Sequence, residues 1–556
     1  MQCAEVAVRI LEKEGIVDAF GIPGASINPL YKYLADSTIN HHLMRHEEAA
    51  VHAADGYFRS SGKLALATCT SGPGATNLVT GLYTAWIDSI PLIAISGQGA
   101  RALMGIGAFQ CIDIAEVARP ICKKTYCVMD PEALPHILQE AIWTAREGRM
   151  GPVLIDFPID VQNIDIPFEL DSYSALPIIK KAPDAGLVTQ AIKLIDTAEK
   201  PLIIMGGGVV LANGEKSLLQ FAEFMNIPVI TTYMAKGGIP ENHPLNAGMV
   251  GIQVGASSSG NSIFLESDLI IGIVCRFTDR HTGNVGVYKG NRKFIHLDVD
   301  PKEIGKIIKP EIGIVSDAAL GLESLLCEAK NSGPKRKGAA RVKDIAIQKQ
   351  ESKLKLAQAD GAIDPRVAFD LINTTFNDDT LFTTGCGLNQ IWSGQYQTIN
   401  KPRKYLPSGG AGTLGFDIPA GIGASVGLGR AKTVCVMGDF GFTFMVEELA
   451  VAAKYKVPLV VIILNNEYLS LIRQNQKYAY KYEFAVHMDE NKDYIDYVGL
   501  AQSLGCKAER VSTYADLQVA LDRAAVAGQP YVIDVVVENE TDCNMGNDIA
   551  HIVKFC

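Results

Sequence analysis

The chain has 556 residues, several times the size of one typical domain, and its 48% hydrophobic and 20% charged residues are those of a folded globular protein. Its 51 Lys and Arg residues against 61 Asp and Glu residues give a net charge of -10, which disfavours a general nucleic-acid-binding protein. The longest apolar runs have only the length of a strand, so the sequence predicts neither a membrane span nor a membrane partner.

The first residues and the cysteines indicate the compartment. Residues 1–13 alternate charged and apolar positions, which predicts an amphipathic helix and not a secretory signal. The 12 cysteines are scattered without a C-x-x-C pair, and Cys69, Cys275 and Cys435 lie inside apolar runs, where reduced thiols pack as small hydrophobic groups. These patterns predict a cytoplasmic protein.

The order of the predicted elements indicates the fold class. Short β-branched runs alternate with helical stretches, which is typical of parallel sheets covered by helices. Two stretches interrupt this alternation: residues 163–185, with their three prolines, and a basic, polar stretch from Lys330 to about residue 363. We therefore predict an α/β fold with three doubly wound parallel-sheet domains, at residues 1–165, 183–335 and 358–556.

Polar residues follow two predicted strands of the third domain. The strand at 433–437 ends at Asp439, a helix is predicted at 442–455, and the next strand, at 457–464, ends at Asn466. A right-handed crossover makes the two strands parallel neighbours, so both side chains are expected at the same edge of the sheet.

The ligand chemistry at this edge suits a magnesium ion. The Asp439 carboxylate, the Asn466 amide oxygen and a backbone carbonyl at Tyr468 are hard oxygen ligands, and nearby glycines allow backbone N–H groups to approach a diphosphate. Taken alone, Asp439 is more often a helix cap and an Asn-Asn pair a turn. The spacing of Gly-Asp and Asn-Asn resembles that of thiamine-diphosphate enzymes, which favours the metal site.

The resemblance extends to the first domain. Residues 19–24, 45–48 and 70–77 resemble, in this order, the pyrimidine-binding domain of that family. It implies that Glu47 activates the cofactor through a hydrogen bond to its pyrimidine ring, whereas Glu47 alone would be typical of a solvated helix start. The other implied cofactor contacts in this domain are Gly24, Gly72, Pro73, Gly74 and Asn77.

The same resemblance assigns contacts in the third domain. It implies that Leu414 lies between the two rings of the bent cofactor, although plain core packing explains a leucine there equally well. In such enzymes this domain faces the pyrimidine-binding domain of another subunit, so a homodimer is the implied minimum and a homotetramer is expected. The further implied cofactor contacts are Gly387, Leu388, Asn389, Gly412, Gly438, Phe440 and Gly441.

The middle domain carries weaker signals. A strand-like run enters three glycines at 206–208, and another ends in acids at 298–300, patterns that structural turns often mimic. Together with residues 276–283 they resemble the FAD-binding domain of the acetohydroxyacid synthase branch, in which the flavin is structural and not redox-active. The implied FAD contacts are Gly206, Gly207, Gly208, Arg280, Asp298 and Asp317.

Within that branch the chain resembles glyoxylate carboligases most, through residues 438–440, 280–283, 471–474 and 543–547. The exception is Glu47, because those enzymes have an apolar residue at this position and acetohydroxyacid synthases have a glutamate. The implied reaction is a decarboxylating carboligation of small 2-oxo acids. It would convert two glyoxylate molecules to tartronate semialdehyde and CO₂, with acetolactate formation from pyruvate as the alternative.

Four residues are candidates on the substrate side. The resemblance implies that Phe109 and Gln110 border the substrate, although Phe109 as core is also consistent with the sequence. A substrate carboxylate needs a cation in a water-poor pocket. Arg276 is the first candidate by its match to the family, although a flavin contact or a structural ion pair would also explain it. Arg101 is the weaker candidate for this cation.

Two other classes of protein remain as alternatives. A flavin-dependent 2-oxo acid oxidase shares the predicted layout but passes electrons to its flavin. A non-catalytic regulator could retain the fold, but it has no need for both an activating acid and a metal site. Glu47, Asp439 and Asn466 together therefore favour an enzyme.

Overall fold

The computed structural model describes residues 1–254, 259–333, 341, 345–349, 362–488 and 495–553. Most of the predicted basic stretch, namely residues 334–340, 342–344 and 350–361, lies outside the described residues, as does Cys556. No helix in the described ranges combines the length and apolar character that crossing a membrane requires.

The first sheet has six parallel strands in the order β2-β1-β3-β4-β6-β5. They are β1 (Asp18–Gly21), β2 (Asn40–Leu43), β3 (Leu66–Cys69), β4 (Ile93–Gln98), β5 (Lys124–Cys127) and β6 (Val153–Pro158). Its central strands β3, β4 and β6 are buried throughout, as strands covered on both faces must be. The helices in this part of the chain are Cys3–Lys13, Asn28–Ala35, Glu47–Ser61, Pro73–Ile87, Ile114–Ala118, Leu134–Arg146 and Ile159–Gln162.

The second sheet repeats this architecture in the order β12-β11-β10-β7-β8-β9. Its strands are β7 (Pro201–Met205), β8 (Val229–Thr231), β9 (Asn246–Met249), β10 (Leu269–Ile273), β11 (Lys293–Asp298) and β12 (Ile312–Val315). The helices here are Ala185–Thr197, Gly207–Leu211, Glu215–Met225, Ser259–Leu265, Asp279–Thr282, Val285–Lys289 and Ala318–Ser332.

The third sheet has the order β14-β13-β15-β16-β18-β17. Its strands are β13 (Leu381–Thr384), β14 (Tyr405–Pro407), β15 (Thr433–Gly438), β16 (Leu459–Asn465), β17 (Lys507–Val511) and β18 (Tyr531–Val536), and a separate antiparallel pair follows, β19 (Met545–Gly546) with β20 (Ile552–Val553). The helices are Pro365–Thr375, Leu388–Tyr396, Asp417–Gly427, Asp439–Phe442, Glu448–Lys454, Ser470–Asn475, Tyr497–Ser503 and Tyr514–Val526.

These three sheets confirm the predicted fold class, and one lies within each predicted domain, whose exact boundaries stay predictions. The single helix predicted at 442–455 is wrong. The structure has two short helices with turns between them, where Met445 has a φ of 58°. Phe444 and Met445 pack against Gly415 there, so tertiary contacts override a locally helical sequence.

One hydrophobic core cluster contains buried residues of both the first and the third domain. Helix Glu47–Ser61 crosses helix Asp417–Gly427 with the backbones in contact, because Gly56 lies against the Ala420 carbonyl and Gly423 against the Ala53 carbonyl. A β-carbon at either glycine would overlap the facing helix. The helix that begins at Glu47 is thereby fixed relative to the third sheet.

Candidate active site

The predicted metal ligands meet at the carboxyl edge of the third sheet. Strands β15 and β16 pair in parallel register, with Gly438 opposite Leu464, so Asp439 and Asn466 leave neighbouring strands. The Asp439 carboxylate accepts hydrogen bonds from the backbone N–H groups of Phe440, at 2.8 Å, and Glu467, at 2.6 Å. The predicted adjacency of the two strand ends is confirmed.

Ser470 marks where the oxygen atoms converge. Its hydroxyl lies 2.8 Å from the Asn466 amide oxygen and 3.0 Å from the Tyr468 carbonyl oxygen, both of which accept from it. The sequence analysis missed Ser470, although its position four residues after Asn466 was visible. Among the described residues no three His, Cys, Asp or Glu side chains form a metal-binding cluster, so a cation here would need amide and backbone oxygens besides the Asp439 carboxylate.

The electrostatics of Asp439 fit a cation. This side chain is buried, and burial raises its pKa to about 7 even though the N–H groups of Phe440 and Glu467 oppose the shift. A divalent cation beside the carboxylate would favour its charged form. The donor set therefore fits Mg²⁺, with one carboxylate and two neutral oxygens leaving positions for phosphate and water.

A second turn borders the same edge. Gly387 has a φ of 124°, which favours glycine, and it precedes the helix Leu388–Tyr396. Asn389 is buried and donates to the Val436 carbonyl at 3.2 Å, while its amide oxygen would lie 3.5 Å from a β-carbon at Gly438. The Leu388 side chain belongs to the hydrophobic core, so only its backbone N–H is available to a ligand such as a diphosphate.

The loop 408–415 lies next to the turn that carries Asp439. Gly412 has a φ of 64°, and the half-buried Leu414 lies 3.8 Å from the position of a β-carbon at Gly441. The Phe440 ring is half-buried and packs against Phe444, with 5.3 Å between ring centres. Leu414 is therefore beside the predicted diphosphate turn and not in the main core.

Glu47 is the first residue of the helix Glu47–Ser61, and its half-buried carboxylate accepts from the Asn77 amide at 2.9 Å. Gly74 faces the same carboxylate, with only 3.1 Å between Glu47 Oε1 and the position of a β-carbon at Gly74. Gly24 packs against Thr70 on the adjoining segment, and Pro73 is exposed at the start of its helix. Glu47, Gly74 and Asn77 thus form one cluster, and their contacts with a cofactor stay predictions.

The substrate-side candidates adjoin this cluster. Gly72 has a φ of 59° and lies against Gln110, which itself has a φ of 54°. Phe109 is 88% exposed, so the core alternative for this side chain is wrong in the single chain. Arg101 is engaged elsewhere, in an ion pair with Asp160 at 2.7 Å.

A buried glutamate of the third domain holds the backbone in front of Glu47. Glu448 Oε1 accepts from the N–H groups of Arg45 and His46, each at 2.9 Å, and its other oxygen is buried without a hydrogen-bond partner among the described residues. Burial raises the pKa of Glu448 to about 8. The sequence analysis missed this residue, because the contact spans about 400 positions and leaves no local signal.

A cavity of about 710 Å³ is lined by residues of the middle domain together with residues of the first and third domains. Gly206 and Gly208 pack directly against Val274, whose φ is 45°, and have no room for a β-carbon. Arg276 lies in the wall and forms no ion pair within the described parts of the chain. The predicted FAD contacts that line the cavity are Gly206, Gly207, Gly208, Arg280, Asp298 and Asp317.

This cavity fits an anionic dinucleotide. Its volume is that of a small-molecule site, its glycines allow close backbone approach, and Arg276 and Arg280 supply positive charge. Asp298 is buried with Oδ2 lacking a hydrogen-bond partner among the described residues, as a ribose-binding acid would be. Phe109 and Gln110 do not line the cavity, so within one chain the structure does not bring Arg276 to them.

Three family models match consecutive parts of the chain. The N-terminal TPP binding domain of thiamine pyrophosphate enzymes matches residues 1–117, the central domain residues 188–325 and the C-terminal TPP binding domain residues 385–535. A glyoxylate carboligase of Escherichia coli O157:H7 is 38% identical to this chain, over 100% of the chain and 96% of its own length. The chain belongs to the thiamine pyrophosphate enzymes.

Other members of the thiamine pyrophosphate enzymes are nearly as similar. A probable acetolactate synthase large subunit of Methanocaldococcus jannaschii is 38% identical, over 97% of this chain and 92% of its own length. An acetolactate synthase large subunit of Corynebacterium glutamicum is 37% identical, over 97% and 87%. Thiamine diphosphate, the cofactor of this family, is thereby supported for the present chain, and the roles of individual residues stay predictions.

Proposed function

We propose that this thiamine pyrophosphate enzyme is a Mg²⁺-dependent carboligase that joins two glyoxylate molecules into tartronate semialdehyde and releases CO₂. The observation that carries the proposal is the pair of half-sites in one chain: Asp439 and Asn466 at one sheet edge, and Glu47 with its Asn77 partner in another domain. The similarity to a glyoxylate carboligase over the whole chain supports glyoxylate as the substrate.

Each half-site has a distinct task in this proposal. When bound, thiamine diphosphate supplies a stabilised carbon nucleophile for decarboxylation and carbon–carbon bond formation. Asp439, Asn466 and the Tyr468 carbonyl would hold Mg²⁺ and orient the diphosphate. Glu47 would hold a proton at the pyrimidine ring, and the Asn77 amide, which donates to it at 2.9 Å, fixes the carboxylate in place.

A second copy of the chain would complete each site. The apolar side chains of Ile106 and Phe109 are 71% and 88% exposed, on the segment that leads to Gln110, and Gln110 lies against Gly72. Such exposure is unfavourable in an isolated chain and supports a homodimer, or a homotetramer built from dimers. The eleven cysteines among the described residues are all free, which supports the cytoplasmic location that we also propose.

FAD is the proposed occupant of the central cavity, as a structural group. Gly206, Gly207 and Gly208 would approach its diphosphate, Arg280 would supply positive charge, and Asp298 and Asp317 would accept from its hydroxyl groups. Arg276 stands in the same wall and would pair with the flavin diphosphate or with a substrate carboxylate.

Product analysis tests the proposal. Purified protein with thiamine diphosphate, Mg²⁺ and FAD is given glyoxylate, pyruvate or their mixture, and the products are identified by mass spectrometry. Tartronate semialdehyde from glyoxylate, with CO₂ released and none formed when Mg²⁺ is chelated, is the expected result. Absence of carbon–carbon bond formation from every substrate would overturn it.

Acetolactate synthesis is the second candidate, and Glu47 is the observation that favours it, since glyoxylate carboligases have an apolar residue at this position. Acetolactate from pyruvate alone, with glyoxylate unreactive, would decide for it. Hydrogen peroxide formation together with bleaching of the flavin absorbance would instead identify a 2-oxo acid oxidase.

A further inference from the structure

A buried arginine connects the first domain with the loop 408–415. Arg59 donates to Asp55 at 2.5 Å and 3.1 Å and to Asp88 at 3.0 Å, and all three residues are buried. We name these three residues the Arg59 cluster. An arginine fork shared between two carboxylates has a fixed geometry, and removing the arginine leaves two buried carboxylates without their shared cation.

The Arg59 cluster holds the backbone of the loop 408–415. Arg59 donates to the Pro407 carbonyl at 2.9 Å, and the Gly410 N–H donates to Asp88 at 2.9 Å. Residues 409, 410 and 412 are glycines, so this part of the loop has few side chains with which to anchor itself. These two backbone bonds therefore help to fix its position, together with the bonds that Ser408 and Thr413 form with neighbouring segments.

The same residues belong to the wall of the central cavity. Arg59, Asp88, Gly409 and Gly410 all line it, as do the glycines that begin at Gly206. The loop they hold continues to Leu414, beside the turn that carries Asp439. The Arg59 cluster thus lines the proposed dinucleotide site and holds a loop that reaches the proposed thiamine diphosphate site.

We propose that the Arg59 cluster positions the loop 408–415 for both cofactors, so that an FAD-class dinucleotide and thiamine diphosphate each strengthen the binding of the other. The inference rests on the proposed function, because it requires both cofactors. A ligand that fills the cavity orders the wall and the loop together, and the second ligand then binds a loop that is already ordered. It also gives a non-redox flavin a physical role.

The coupling is measurable in both directions. FAD is titrated into the cofactor-free full-length protein, with and without thiamine diphosphate and Mg²⁺, and its binding is followed by flavin fluorescence. In the second experiment thiamine diphosphate is titrated with and without FAD, and its binding is measured by calorimetry. We expect each cofactor to tighten the Kd of the other by the same factor, about fivefold or more. Equal affinities with and without the second cofactor would overturn the proposal.

Variants locate the coupling. Asp88→Asn keeps an oxygen that accepts from the Gly410 N–H but removes the charge that binds Arg59. Arg59→Lys loses the guanidinium fork that donates to the Pro407 carbonyl. In both variants the factor by which one cofactor tightens the Kd of the other should fall below about twofold. Thr84→Val is the matched control. Thr84 bonds to Thr413 of the same loop at 2.7 Å but does not line the cavity, so this variant should weaken thiamine diphosphate binding and keep the coupling factor.

The outcomes separate two kinds of failure. Unchanged coupling in Asp88→Asn and Arg59→Lys overturns the positioning role while the proposed function stands. A wild-type chain that binds thiamine diphosphate but no flavin overturns both the FAD assignment and the coupling, and one that binds neither overturns the proposed function itself. Circular dichroism shows whether each variant is folded, and two different substitutions keep the test decisive if one of them does not fold.

Discussion

Replacing Glu448 tests whether the third domain positions the activating glutamate. Glu448 accepts the N–H groups of Arg45 and His46, and His46 caps the helix whose first residue is Glu47. Glu448→Ala removes the acceptor, and Glu448→Gln keeps it. We expect the alanine variant to loosen the start of this helix and to lower turnover by displacing Glu47. The glutamine variant should retain most of the helix stability and most of the turnover.

The structure sets the size of the effect. Each buried backbone donor left without a partner costs about 1–3 kcal/mol. Arg45 is exposed and His46 half-buried, so water replaces part of the loss, and a total of about 2 kcal/mol is expected for Glu448→Ala. Glu448→Gln should cost about 1 kcal/mol or less, since an amide oxygen still accepts both bonds.

Glu448 also predicts a pH dependence. Burial raises the pKa of this carboxyl from 4.5 to about 8, so between these values the folded chain retains a proton that the unfolded chain releases. The protonated carboxyl therefore stabilises the folded state fully below pH 4.5. This stabilisation is lost as the pH rises towards 8, and the free energy of unfolding falls by up to about 1.4 kcal/mol per pH unit. Glu448→Gln cannot ionise and should remove that slope.

Amide hydrogen exchange is the suitable measurement, because it reports opening at these residues and does not require the whole chain to unfold in one step. Peptides spanning Arg45 to Glu48 are followed by mass spectrometry at pH 6, 7 and 8, after correction for intrinsic exchange. Protection should fall with pH in the wild type and in the control Glu447→Gln, but not in Glu448→Gln. Equal protection in wild type and Glu448→Ala would refute the positioning role.

Three further predictions concern the proposed site. Glu47→Gln should lower turnover by about 10²–10⁴-fold while Glu48→Gln, one position further, stays near wild type, as steady-state assays would show. Asp439→Asn should abolish Mg²⁺-dependent binding of thiamine diphosphate, as measured by calorimetry. Glu467→Gln should keep this binding, because Glu467 donates to Asp439 through its backbone N–H. Phe109→Ala should change the thermal unfolding midpoint little, because this ring is 88% exposed in the single chain. It should raise the KM for the substrate or weaken the dimer, which sedimentation velocity would measure.

Buried strands were the most predictable elements of this chain. The strand predicted at 433–437 is observed as Thr433–Gly438, and the one predicted at 457–464 as Leu459–Asn465. Continuous β-branched runs bounded by glycine or asparagine identify a strand locally, and the crossover rule then places Asp439 beside Asn466 without further information.

Contacts between distant segments were not predictable. Glu448 meets Arg45 across 403 positions, and Arg59 meets Pro407 across 348, and no local pattern marks either pair. The failed helix at 442–455 has the same origin, since the break near Met445 is set by packing against Gly415. Sequence patterns indicated the candidate residues of each half-site. The contacts that hold these residues in place, such as those of Glu448 and Arg59, form only in the folded chain.

Glu47 favours acetolactate synthesis only through resemblance, because its proposed role is to activate the cofactor and not to contact the substrate. Glu47 contacts Asn77 and faces Gly74, so by its proposed role it acts on the pyrimidine ring, away from the carbon at which two substrates differ. Gln110 lies against Gly72, and Gln110 and its neighbour Phe109 are the residues that we propose to border the substrate. A glutamate at position 47 is therefore compatible with glyoxylate as well as pyruvate. Discrimination should follow substitutions at Phe109 and Gln110, whereas substitutions at Glu47 should slow both substrates alike.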